Sequence, residues 1–169
     1  MEAYEAIITR RSIRRYTTQD IDNEIIKKIL RAGMLAPSAH NRCPWQFILI
    51  TEREKLLTIP RFHPYSEMLK HAPMAIVISG DKRIEKSVEY LIQDCSAATE
   101  NMLLASHALG LGAVWLAVYP RQERMQGIID LLKLPGFIIP VSMIALGYPA
   151  EEKTQPERFD PDRMHYNQW

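Results

Sequence analysis

Apolar positions along the chain recur first at helical spacing and later in short continuous runs. Residues 2–11 are predicted to form a short first helix with an apolar side. A second helix is predicted to begin after Asp22, a suitable N-cap, because apolar residues then recur every three or four positions. Gly33 ends this pattern, and residues 37–44, rich in proline and small polar residues, form a loop.

Four compact apolar runs predict β-strands, at residues 45–51, 74–79, 113–119 and 137–146. The longest helical pattern covers residues 87–109, and its apolar residues cover so much of the helix circumference that burial in a core, in a subunit interface or in both is expected. Shorter helices are predicted at residues 53–57, 66–70 and 121–132. This order of elements predicts an α+β fold, a layered mixed or mostly antiparallel sheet flanked by helices, with a long central helix.

Composition is typical of a soluble globular protein, with 47% hydrophobic and 24% charged residues. The length of 169 residues fits one domain spanning residues 1–169. The formal net charge of +1 argues against nucleic acid or an acidic membrane surface as a partner, so that any anion site must be local. The tail at residues 150–169 is polar and proline-punctuated with three aromatic residues, and we expect it to pack on a partner subunit.

Several other features favour a reduced, cytoplasmic protein. Cys43 and Cys95 are far apart in the chain and form no CxxC pair. Residues 1–8 contain two glutamates and no continuous apolar run, so no secretory leader is expected. No apolar run approaches about 18 residues, the length that spans a membrane. The five histidines lack metal-ligand spacing, and we expect no bound metal.

Four arginines lie within six positions at the end of the first helix. If this segment is extended, Arg10, Ser12 and Arg14 point to one side and Arg11 and Arg15 to the other. Guanidinium and hydroxyl groups on one face suit the oxygens of a single phosphate. A solvated charge cluster and a nucleic-acid patch are the alternatives for this segment taken alone.

Three further segments could contribute to a site. The loop at residues 36–45 contains mostly small and polar side chains and could meet the polar edge of a planar ligand. Its alternative is a plain helix-to-strand connection with capping residues. The glycines at residues 110 and 112 follow a helix and precede a strand, which is the wrong order for a dinucleotide-binding turn. Lys153 and Arg158 follow a Gly-Tyr-Pro break and could add to an anion site, with ordinary surface charges as the alternative. No nucleophilic triad or carboxylate pair stands out, which suits an enzyme whose cofactor carries the chemistry.

Taken together and in order, these segments resemble the nitroreductase superfamily of flavoproteins. The matching stretches are RRSIRRY, APSAHNRCPW, QDCSAATENMLLASHALGLGAVWLAVYP and IALGYPAEEK. The resemblance covers nearly the whole chain. It implies a nitroreductase-like fold, a homodimer of the domain-swapped type, and FMN bound at the subunit interface.

The resemblance also implies an activity and a set of cofactor-binding residues. The expected enzyme is an FMN-dependent NAD(P)H oxidoreductase, in which NADH or NADPH reduces the flavin and an electron-poor small molecule reoxidises it by ping-pong hydride transfer through N5. A different flavin reaction, such as dehydrogenation, dehalogenation or flavin processing, is the alternative. No catalytic side chain and no metal ligand is expected. The expected cofactor-binding residues are Arg10, Arg11, Ser12, Arg14, Pro37, Ser38, Ala39, Asn41, Val114, Trp115, Leu116, Lys153 and Arg158.

The chain departs from the family pattern at one position of the loop. Cys43 stands where many members have glutamine, so the contacts of that side chain are not transferred to this sequence. The residue either alters the flavin's surroundings or fills space as a small apolar side chain.

Overall fold

A four-stranded antiparallel sheet forms the centre of the structure, a computed structural model that describes residues 1–169. The strands lie in the order β1-β2-β4-β3. All neighbouring strands pair antiparallel, and a single isolated parallel bridge joins Ser12 to Ala113. The predicted α+β fold and its antiparallel sheet are confirmed. The strands are β1 (Trp45–Ile50), β2 (Met74–Asp81), β3 (Gly112–Ala117) and β4 (Ile138–Gly147).

Five helices flank the sheet, close to their predicted positions. Asp22 is an N-cap as predicted, since its carboxylate accepts a hydrogen bond from the Glu24 backbone N–H. The first helix is shorter than predicted, because it ends at Thr9 and leaves Arg10 and Arg11 outside it. No helix is long and apolar enough to cross a membrane. The helices are α1 (Ala3–Thr9), α2 (Asn23–Met34), α3 (Arg53–Thr58), α4 (Val88–Ala108) and α5 (Gln122–Leu132), with short 3₁₀ turns at Ala39–Asn41, Ile59–Arg61, Glu67–Lys70 and Pro161–Arg163.

The sheet separates two hydrophobic layers, and β2 is buried on both faces. Ile76 and Ile78 pack in the layer that contains α2 and α4, whereas Ala75 and Val77 pack in the layer that contains α3 and α5. This double burial explains the continuous apolar run of β2. Helix α4 is buried along much of its length, as its pattern predicts.

The free edge of β3 is covered by the segment that follows α1. The Ile13 backbone N–H donates to the Ala113 carbonyl at 3.0 Å, and Ile13 itself is buried. A Cβ atom on Gly112 would lie 2.6 Å from Ile13 Cγ2, so the close approach requires glycine. Residues 10–15, which we call the arginine segment, are therefore positioned by the edge of the sheet rather than by α1.

Candidate functional site

A large cavity lies between α1, the arginine segment and the tail. It has a volume of about 1020 Å³, and we call it the arginine cavity. Five cationic side chains and two carboxylates line it, so its lining carries net positive charge. The residues of the predicted site that line it are Arg10, Arg11, Ser12, Arg14, Lys153 and Arg158.

Glu151 binds the arginine segment to the chain after β4. Its Oε1 accepts hydrogen bonds from the backbone N–H groups of Arg14 and Arg15. The Arg14 N–H bond is the main reason that the pKa of Glu151 lies below its ordinary value, and Lys153 lowers it further. Lys153 Nζ also donates to the Ser12 carbonyl at 2.8 Å, so backbone and side-chain bonds together hold Ser12 and Arg14 at the cavity wall.

The alternation expected along the segment holds for Arg15 but not for Arg11. Arg15 is exposed and lines neither of the two large cavities. Arg11 lines the arginine cavity because its guanidinium turns back and donates to the carbonyls of Ile8 and Thr154. Arg10 lies 3.6 Å from the Glu100 carboxylate on α4, whereas Arg14 pairs with no carboxylate.

A smaller cavity of about 460 Å³ lies beside the C-terminal end of β3, and we call it the Trp115 cavity. Arg14 lines both cavities and so marks the place where they meet. Trp115 and Leu116 line the smaller cavity. Val114 does not, and its side chain is buried in the hydrophobic layer on the α5 side, as is that of Leu116.

His63 lies in the wall of the Trp115 cavity in one defined tautomer. Its Nε2 lies 3.0 Å from the Ala117 carbonyl, which can only accept, so Nε2 carries the proton. Nδ1 is then a buried acceptor without a hydrogen-bond partner. Burial is the main cause that lowers the pKa of His63, and the nearby Arg124 guanidinium adds to it. The ring is thus neutral near pH 7.

The loop at residues 37–41 is anchored on α4 and lines neither cavity within one chain. The Ala39 N–H donates to Asp94 Oδ1 at 2.9 Å, and the other Asp94 oxygen is buried without a partner. His40, Asn41 and Cys43 all have positive φ angles, a conformation that is uncommon for residues other than glycine. The structure thus brings Ser12, Arg14 and Trp115 together but leaves this loop elsewhere on the same chain.

The side chains around the two cavities suit anion and planar-ligand binding better than acid–base catalysis. The histidines, cysteines and carboxylates form no cluster of three or more that could hold a metal ion. Cys95 is buried, and burial raises the pKa of its thiol to about 12, which makes it unreactive near neutral pH. The arginine cavity offers cations and a hydroxyl of the kind that bind a phosphate ester.

Comparison with known proteins identifies the family. The sequence model of the Nitroreductase family matches residues 7–65 and 59–148. The chain belongs to the nitroreductase family. It is 50% identical, over 100% of its own length and 88% of the other, to a protein of Methanothermobacter thermautotrophicus named as a candidate NADH dehydrogenase/NAD(P)H nitroreductase.

Solved structures of the family share the fold closely. An FMN-dependent nitroreductase from Clostridium difficile superimposes with a TM-score of 0.90 at 34% identity, and the match covers 98% of this chain and 99% of that one. A candidate nitroreductase from Desulfovibrio desulfuricans, solved in complex with FMN, superimposes with a TM-score of 0.86 at 30% identity over 100% of this chain and 98% of that one. The predicted family is confirmed.

Sequence reasoning missed several residues that line these cavities or hold the segments around them. Asp94 was detectable in principle, since it is a carboxylate within the apolar pattern of the long helix. Glu151 lies within a motif that the sequence already singled out, but only the fold shows that its partners are the backbone of Arg14 and Arg15. His63 and Arg124 carry no sequence signal, because they are 61 positions apart and meet only through the end of β3.

Proposed function

We propose that this protein is an FMN-dependent NAD(P)H oxidoreductase that reduces electron-poor acceptors such as nitroaromatics and quinones. The observation that carries the proposal is the arginine cavity, whose cations outnumber its carboxylates and lie on the tail and on the segment that pairs with the edge of β3. Family membership supports it, as does the FMN complex of the Desulfovibrio desulfuricans relative.

The residues of the arginine cavity fit the phosphate end of FMN. Arg10, Arg11, Arg14, Lys153 and Arg158 would supply charge-assisted hydrogen bonds to the phosphate, and the Ser12 hydroxyl would donate to the phosphate or the ribityl chain. The Glu151 bonds to the backbone of the segment would hold these donors in place before the ligand binds. Such preorganisation lowers the ordering entropy lost on binding.

The ring of FMN would lie farther along β3, toward the Trp115 cavity. The outward carbonyls of Ala113 and Ala117 accept hydrogen bonds from Ile13 and from His63, so by the two-residue alternation of a strand Trp115 turns its backbone to the same edge. Trp115 would thus meet the flavin through its main-chain groups, whereas Val114 and Leu116, whose main-chain groups point toward β4, would flank it in the strand.

Bound FMN would supply hydride chemistry at N5, accepting a hydride from NADH or NADPH and passing reducing equivalents to the acceptor in a ping-pong cycle. The chain's own residues would bind, orient and exclude water. No side chain need take a proton from carbon, and none at the two cavities forms a nucleophile–base pair.

We propose further that the site is completed by a second copy of the chain. Pro37, Ser38, Ala39 and Asn41 line neither cavity of their own protomer, so they would reach the flavin of the partner. Apolar side chains stand exposed on α1 and in the tail, which supports a large shared interface. The tail at residues 150–169 would pack on the partner subunit.

The absorbance spectrum of the purified protein tests this proposal directly. We expect flavin bands, or their appearance after incubation with FMN and removal of the excess by gel filtration. Oxidation of NADH or NADPH should then depend on a nitroaromatic or a quinone. A colourless protein that takes up no FMN would refute the proposal.

A further inference from the structure

The Trp115 cavity holds one cationic group, Arg124, that the proposed phosphate site does not use. Arg124 on α5 lies at its wall and does not line the arginine cavity. Its Nη1 donates to the Ala117 carbonyl at 2.8 Å, and no carboxylate lies within ion-pair distance of it. Arg14, which lines the same cavity, also lacks a carboxylate partner.

Nothing else in the cavity neutralises this charge. Glu67 is the single carboxylate of the lining, and it pairs with Lys70. His63 adds no charge near pH 7, because burial and Arg124 lower its pKa. Arg14 would be neutralised by the phosphate, so the Arg124 guanidinium is the one that stays uncompensated in a cavity whose lining also includes the aromatic residues Trp115 and Tyr65.

Two contacts orient the Arg124 guanidinium. Its Cζ lies 5.3 Å from the centre of the Tyr65 ring, and its Nη1 is bonded to the end of β3. One hydrogen bond leaves four of its five N–H donors for a ligand. An arginine fixed in this way presents a planar fork that matches a carboxylate in geometry as well as charge.

We propose that Arg124 selects acceptors that carry an anionic substituent, such as a carboxylate, on an aromatic or quinonoid ring. The inference rests on the proposed function, since it places the acceptor in the Trp115 cavity next to the flavin. The ring would pack against Trp115 or Tyr65, and the anionic group would bind Arg124. NADH and NADPH fit this arrangement less well, because their negative charges are separated from the nicotinamide ring by a ribose.

The test compares 4-nitrobenzoate with nitrobenzene, which differ by one carboxylate. In the wild-type enzyme kcat/KM should be higher for 4-nitrobenzoate. Arg124→Gln should lower this ratio about tenfold, the order expected for one charge-assisted hydrogen bond, while leaving turnover of nitrobenzene nearly unchanged. Arg124→Lys should keep part of the preference. Arg121→Gln is the matched control, since Arg121 is exposed at the start of the same helix and lines neither large cavity.

Two further measurements separate the possible failures. Single-turnover reduction of the flavin by NADH and by NADPH should be unaffected in Arg124→Gln. If only this step is slowed, Arg124 binds the nicotinamide cofactor instead of the acceptor, and the proposal is overturned. Equal losses for both acceptors together with weaker FMN binding would assign Arg124 to the flavin, which also overturns it.

Binding of the two acceptors can be measured without turnover by quenching of tryptophan fluorescence, because Trp115 lines the cavity. Arg124→Gln should weaken binding of 4-nitrobenzoate alone. An unchanged ratio of the two dissociation constants would refute the inference. A wild-type protein that binds no FMN would refute the proposed function, but a ratio that changes with Arg124 would still support an anion site.

Discussion

Arg14 is the residue at which the two cavities meet, and its neighbour Arg15 is the natural comparison. Both are exposed, and the backbone N–H groups of both are bound by Glu151, but only Arg14 lines the cavities. The two residues therefore separate the effect of charge at the site from the effect of charge in the segment as a whole.

We expect Arg14→Ala to raise the dissociation constant of FMN by about tenfold to a hundredfold, the range for a lost hydrogen bond to a charged group. Arg15→Ala should change it little, since its guanidinium lines neither cavity. Titration of the apoprotein followed by flavin fluorescence measures both constants. Equal weakening by the two substitutions would contradict the assignment of Arg14.

Two histidines should make the stability of the fold sensitive to acid. Burial, with Arg124 for His63 and with Arg10 and Arg11 for His107, lowers the pKa of each ring in the folded state. Below the ordinary histidine pKa of 6.5 the unfolded chain therefore binds more protons than the folded one. The free energy of unfolding has its maximum contribution from these rings above pH 6.5 and decreases as the pH falls through their pKa values in the folded state.

Urea unfolding between about pH 5 and pH 8 measures this dependence. His63→Gln should flatten the slope below about pH 6.5. His165→Gln, at an exposed ring in the tail, should leave the slope as in the wild type. A slope unchanged in His63→Gln would show that His63 is not one of the groups responsible.

At the scale of elements, the closeness of β3 to the arginine segment depends on Gly112. The Cβ of an alanine there would meet Cβ, Cγ1 and Cγ2 of Ile13, and the buried Ile13 has little room to move. Gly112→Ala should lower the free energy of unfolding by about 1–3 kcal/mol, the usual cost of overpacking. It should also weaken FMN binding, because Ser12 and Arg14 flank Ile13.

Gly136→Ala is the matched control for that substitution. A Cβ atom at Gly136 would meet no other atom within 4 Å, and its φ angle is not positive. Chemical denaturation and FMN titration of both variants form the measurement. Wild-type stability and affinity in Gly112→Ala would show that the segment is not held by this contact.

The loop at residues 37–41 depends in the same way on Asp94 of α4. Asp94→Ala removes the acceptor of the Ala39 N–H, so hydrogen exchange in this loop should speed up and FMN binding should weaken. Asp94→Asn keeps an acceptor oxygen in the same position and should behave more like the wild type. Hydrogen exchange of the loop amides, followed by mass spectrometry, distinguishes the two variants. Identical exchange rates in the wild type and both variants would contradict a role of Asp94 in holding the loop.

At the scale of the whole molecule, the tail after β4 has two parts. Glu151 and Lys153 bond to the arginine segment, whereas Tyr166 and Trp169 are 80% and 99% exposed on their own chain. Aromatic side chains this exposed are costly in water and are typical of an interface. The exposed apolar residues of α1 lie at the wall of the arginine cavity, close to the same tail.

We expect sedimentation to give a dimer that carries the flavin absorbance. A chain shortened by residues 160–169 should dissociate and lose FMN while its circular dichroism stays close to that of the full chain, because those residues add little to the core of their own protomer. A monomer that keeps FMN, in either form, would contradict the shared site.

Local patterns of the sequence predicted most of the elements but not how they meet. Alternation and helical spacing depend on neighbours along the chain, so the four strands, the long helix and the Asp22 cap were predictable. The bounds of α1 were not, because the pairing of Ser12 with Ala113 draws Arg10 and Arg11 out of the helix, and the partners of that pairing are a hundred residues apart.

The sequence by itself determined that a cluster of arginines, a small-residue loop and a glycine turn occur in one chain in the order of the nitroreductase family. Only the tertiary structure decided that Arg11 turns toward the arginine cavity while Arg15 does not, that Val114 faces the core, and that Arg124 and His63 meet at Ala117. The reason is physical: side-chain direction in an extended segment follows from local geometry, but the choice of partner is made by contacts between distant parts of the chain.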